Sequence, residues 1–63
     1  MIVQKLYERS YHDGKCLYVK QCLVTYYDND VVNMEGHTYA SNIFDVVRIL
    51  KSYHYKLIEV VRK

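Results

Sequence analysis

The 63-residue chain contains no tryptophan and no proline, only two glycines and only two cysteines. These and other shortages each close off a class of protein. Cys16 and Cys22 fall in one predicted strand, where a rise of roughly 3.3 Å per residue puts them about 20 Å apart, beyond disulfide reach. Two isolated thiols with no leader segment fit a reducing, cytoplasmic setting. His12, Cys16, Cys22, His37 and His54 are possible ligands, but the spacings of Cys16 and Cys22 and of His12 and Cys16 match no zinc pattern, so small buried or half-buried hydrophobes are the expected role of the cysteines. There is no glycine-rich phosphate loop, nucleophile motif or useful pair of carboxylates, and so short a chain encloses a dry pocket with difficulty. Neither catalysis nor a cofactor is expected. No apolar run is long enough for a bilayer, which removes a membrane partner. Without repeats, linkers or low-complexity stretches, residues 1–63 read as a single small domain.

What the chain has in quantity is tyrosine, eight residues of it. Tyr7, Tyr11, Tyr18, Tyr26 and Tyr27 flank Asp13-Gly14, and Asp-Gly between β-rich runs is a strong hairpin signal because glycine accepts the positive φ of a type I′ turn. A two-residue Asp13-Gly14 loop pairs His12 with Lys15, Ser10 with Leu17, Glu8 with Val19, Leu6 with Gln21 and Gln4 with Leu23. One face then holds Ile2, Leu6, Leu17, Val19 and Leu23, and is expected to be the core. The other holds Val3, Lys5, Tyr7, Arg9, Tyr11, Cys16, Tyr18, Lys20, Cys22, Val24 and Tyr26. A three-residue loop would divide the leucines between the faces, since a slip of one residue reverses every side chain.

Asp28-Asn29-Asp30 is a turn cluster, and Val31–Met34 reads as a short third strand or a loop on the sheet edge. Residues 42–53 form the only predicted helix, capped by Ser41 or Asn42, with Ile43, Val46, Val47, Ile49, Leu50 and Tyr53 on one arc. Phe44 falls outside that arc, either folding back on the preceding loop or serving as an exposed anchor. Residues 55–61 close the chain as a strand apolar on both faces, which one helix cannot cover twice. The fold class expected is α+β: an antiparallel hairpin extended to three or four strands, with one helix on one face. Its core would comprise Leu6, Leu17, Val19, Leu23, Ile43, Val47, Leu50, Ile58 and Val60.

Function is expected to be binding. Tyrosine and arginine supply stiff amphipathic anchors, so Lys5, Tyr7, Arg9, Tyr11, Tyr18 and Lys20, with Phe44 as a second anchor, are the candidate partner-binding residues. Arg9 is expected opposite Tyr18, making a contiguous patch with Tyr7. The net charge of +2 divides into +2 over residues 1–27, −4 over 28–45 and +4 over 46–63, a bipolar pattern that suits an oriented protein encounter. Tyr, Lys and Arg on a sheet face also suit single-stranded nucleic acid. Against that reading stand the acidic middle segment and the lack of any RNA-recognition or helix-turn-helix signature. Small size and the two-faced closing strand also predict a homodimer.

As a type, the order of hairpin IVQKLYERSYH-DG-KCLYVKQCLVTYY, helix NIFDVVRILKSY and strand YKLIEVV resembles the very small stand-alone proteins by which bacteriophages block host enzymes or defence systems. Phage antitoxins and anti-CRISPR-like inhibitors are of this kind. The resemblance implies occupation of a protein target's working surface and carries over no individual residue.

Overall fold

Gly14 sets the hairpin. Its φ of 60° and an ordinary φ at Lys15 place a Gly14-Lys15 turn between Asp13 and Cys16, the arrangement of a type II′ turn with glycine first. The loop is thus one residue later than Asp13-Gly14, and the pairing moves by two: Tyr11 faces Tyr18, Arg9 faces Lys20 and Tyr7 faces Cys22. Two is the side-chain period, so both predicted faces keep their membership.

A computed structural model describes residues 1–37, 40 and 42–62; Ser41, the alternative helix cap, lies outside the described residues. The described residues form β1 (Ile2–Asp13), β2 (Cys16–Tyr27), β3 (Asp30–Glu35), α1 (Ile43–Ser52) and β4 (Lys56–Arg62). Their antiparallel sheet has the order β3-β2-β1-β4, so the predicted α+β class holds and residues 31–34 do belong to a strand. No helix among the described residues is long and apolar enough to cross a membrane.

Asn42 starts α1: its Oδ1 accepts from the Asp45 backbone N–H at 2.9 Å, while its Nδ2 donates to Asp45 Oδ2 at 2.9 Å. The cap satisfies a backbone donor that the first turn leaves free. Lys51 suits the negative end of the helix. Termination follows at His54, whose φ is 65°, with Tyr55 N–H donating back to the Leu50 carbonyl at 3.0 Å.

The core is on the other side of the sheet from the expected one. Tyr7, Cys22, Val24, Tyr26, Val31, Met34 and Ala40 are buried with Val46 and Leu50 of α1. Leu6 and Leu23 are only half-buried on the open face, and Leu17, Val19, Val47, Ile58 and Val60 are exposed. The cause is local composition. Beneath the helix, the tyrosine face presents Cys22, Val24 and Tyr26, whereas the leucine face presents Gln4, Glu8, Gln21 and Thr25 around Leu6 and Leu23. A tyrosine ring buries a large apolar area, so the base of the tyrosine face is the more hydrophobic.

Tyr26 is 1% exposed, and among the described residues its hydroxyl makes no well-formed hydrogen bond, with only the Tyr7 phenol beside it. Burial, and then the neighbouring Tyr7, pushes the Tyr26 phenol far up; burial also raises Tyr7 and Cys22. These groups keep their protons in the fold after the unfolded chain has released them. Stability is therefore full below about pH 9 and falls as pH climbs through the unfolded thiol and phenol range. Tyr26→Phe removes a buried hydroxyl that lacks a well-formed hydrogen bond and should stabilise the domain by about 1 kcal/mol, a rise of roughly 4–8 °C in Tm. It should also lessen the alkaline loss. Thermal melts from pH 7 to 11 read both effects, and a lowered Tm in Tyr26→Phe would contradict this view of the core.

Candidate functional site

Pairing with β4 ends at Glu8 of β1, and pairing with β3 ends at Leu23 of β2. Beyond these points residues 9–20 continue as a two-stranded arm that pairs with no other described strand. Five residues from Glu8 to Asp13 carry it roughly 17 Å past the sheet, which accounts for a longest dimension of 42 Å against 21 and 14 Å. The radius of gyration is 12.3 Å, where a compact chain of this length would have about 10.6 Å.

The front of the arm, continuous with the helix-covered face, carries Arg9, Tyr11, Tyr18 and Lys20. The Tyr11 and Tyr18 rings stack with centroids 5.3 Å apart and an interplanar angle of 19°. The Arg9 guanidinium lies 5.0 Å from the Tyr11 centroid and Lys20 Nζ 5.8 Å from it, both within cation–π range. Arg9 and Lys20 also face each other across the strands, a like-charge pairing that opposes stability. Among the described residues neither cation has a carboxylate partner. The front is thus an unneutralised positive patch built on a tyrosine stack.

At the foot of the arm, Arg9 Nη1 donates to the Tyr53 carbonyl at 3.3 Å and its guanidinium lies 5.8 Å from the Tyr55 ring centroid. His37 packs edge-on against Tyr53 and Tyr55. A recess of about 300 Å³ opens there between Glu8, Arg9, Ser10, His54, Lys56 and Ile58. Arg9 therefore straps the arm to the end of α1 as well as charging its front, and its guanidinium is less available than the sequence suggested.

The candidate residues divide. Arg9, Tyr11, Tyr18 and Lys20 come together on the arm. Lys5 lies lower, half-buried between Val24 and Val60, with its ammonium 5.5 Å from the Tyr26 ring centroid. Tyr7 is 8% exposed beneath the helix, so it belongs to the core and not to the patch; Arg9 faces Lys20 rather than Tyr18. Phe44 is 81% exposed on the first turn of α1, and it does not fold back out of solvent. That turn sits at the base of the hairpin, where Asn42 bridges Asp30 and Asp30 pairs with Tyr27. Tyr27 is nine residues, or roughly 30 Å, from Tyr18 along β2. Phe44 and the arm are separate surfaces.

Two contributors escaped the sequence reading. Leu17 and Val19, placed in the core from sequence, are 59% and 52% exposed on the back of the arm, opposite His12 and Ser10. Their position beyond the reach of a ten-residue helix was the available signal. No protein family, curated protein or solved structure matches this chain.

Proposed function

We propose that the chain is a non-enzymatic protein-binding module whose hairpin arm enters a cleft of a protein target. Such a module would act in the cytoplasm, as the phage-type inhibitors it resembles do, by occupying a working surface. One observation carries this reading: the arm has exposed apolar or aromatic side chains on both of its sides, Tyr18 in front and Leu17 and Val19 behind. A blade of that kind gains most where both sides are desolvated, as in the buried centre of a protein interface. Arg9 and Lys20, neither with a carboxylate partner among the described residues, favour a cleft with an acidic wall.

Single-stranded nucleic acid would use the front alone and leave Leu17 and Val19 in water. The front is also poorly disposed to it, because the Tyr11 ring already stacks on Tyr18 and lies beside two cations. Base stacking requires free aromatic faces.

Titration of the full chain with fluorescent single-stranded oligonucleotides separates these readings. Binding should be no tighter than about 100 µM at physiological salt and should vanish at modestly higher salt, as expected for a few phosphate contacts. Capture of a protein target from cell lysate should survive nuclease treatment. Submicromolar binding to oligonucleotides of unrelated sequence, with capture abolished by nuclease, would transfer the function to nucleic acid.

A further inference from the structure

We propose that β4 is the seam of a two-fold homodimer in which two copies pair edge to edge and antiparallel, each Lys56 opposite Glu59 of the partner subunit. The two edges of the sheet differ. Both carry a register shift, but β3 has Asn42 bridged to Asp30 at its start, so part of its outer edge is already taken. β4 is paired to β1 on one side only, and every residue from Lys56 to Arg62 is exposed. A bare edge of this kind offers a row of backbone donors and acceptors to another strand.

The side chains around that edge are those of an interface. Leu57, Ile58, Val60 and Val61 are exposed along the strand. Leu57 and Val60 pair with Tyr7 and Lys5, placing them on the helix side. At 100° per residue, Val47 is on the flank of α1 away from Ile49 and Tyr53, and Tyr53 meets His37 of the segment after β3. Val47 is exposed there. A compact monomer of 7.6 kDa would expose about 4,300 Å², whereas this chain exposes 4747 Å². The excess, roughly 450 Å², is more than half of what one partner buries in a standard interface.

Charge selects a second copy as the occupant. A register shift opposite Leu6 and Tyr7 brings Lys56 and Glu59 to the same face, because they pair with Glu8 and Leu6 respectively. Both are exposed, and neither is in an ion pair among the described residues. A two-fold axis between Leu57 and Ile58 sets Lys56 against Glu59 twice and the two apolar residues against each other twice. The strand is its own electrostatic complement. The dimer would carry its two arms at opposite ends of an eight-stranded sheet.

Analytical ultracentrifugation of the full chain at about 50 µM should give twice the 7.6 kDa monomer mass. Glu59→Lys and Lys56→Glu should each weaken the dimer at least about tenfold by opposing like charges twice. Mixed in equal amounts, the two variants should regain the dimer, since each supplies what the other has lost. Circular dichroism confirms that each variant is folded. Should either fail to fold, amide hydrogen exchange of the parent decides: protection over residues 56–62 should fall on dilution while β2 stays unchanged. A monomer at 50 µM, a dimer indifferent to both substitutions, or exchange at β4 independent of concentration would each overturn the assignment.

Discussion

Leu50→Ala is expected to remove most of the stability of the fold. Leu50 is 1% exposed and belongs to the cluster of Tyr7, Cys22, Val24 and Val46, where α1 meets the centre of the sheet. Truncating a buried leucine costs about 2–5 kcal/mol, the transfer loss plus the cavity left behind. A domain of this size has roughly 3–9 kcal/mol in all, so the variant should be partly unfolded at 25 °C. Val47→Ala, three residues earlier on an exposed flank, should change stability by no more than about 0.5 kcal/mol. Urea unfolding followed by circular dichroism compares them. Equal midpoints for the two variants would mean that the helix is turned differently from the face described here.

Gly36→Ala should be as damaging, for a different reason. Gly36 has a φ of 93°, and a Cβ there would collide with the Gln21 carbonyl oxygen while lying 3.3 Å from Cys22 Cα. Both obstacles are backbone of β2, paired there with Glu8 and Tyr7 of β1, so neither can swing aside as a flexible side chain would. Backbone strain of about 1–3 kcal/mol adds to overpacking of about 1–3 kcal/mol. Gly14, the other glycine with positive φ, has open space at its Cβ position. Gly14→Ala should therefore cost only the turn strain. A Gly36→Ala variant melting within 2 °C of the parent, a shift of about 0.5 kcal/mol or less, would refute the close approach of Gly36 to β2.

The hairpin, the helix, the closing strand and their order were legible from local signals: Gly14 at the turn, the alternation in residues 2–12 and 16–27, Ser41 or Asn42 as a cap, and the apolar arc through Val46 and Leu50; residues 31–34 read equally as strand or loop. The membership of each hairpin face was legible too, even with the pairing two residues out, because that error equals the side-chain period. Which face is covered was not. Each face changes character halfway. The tyrosine face is apolar at Cys22, Val24 and Tyr26 and basic at Arg9 and Lys20; the leucine face is mixed at Leu6 and Leu23 and apolar at Leu17 and Val19. A ten-residue helix spans only about 15 Å and can cover one half of a 12-residue hairpin. Considering the halves separately would have put Tyr7 in the core and Leu17 and Val19 on a free arm.

That division bears directly on function, since the arm is what the helix leaves bare. Its two-sided character can be read by photo-crosslinking from Tyr18 and from Val19, neighbours in sequence that point to opposite faces. With a benzophenone side chain at either position, the full chain in cell lysate should crosslink to the same protein, and a probe at Arg48 on the outer side of α1 should not. Crosslinks from Tyr18 alone, crosslinks to nucleic acid, or none from either position while Arg48 reacts would contradict an arm held on both sides within a protein cleft.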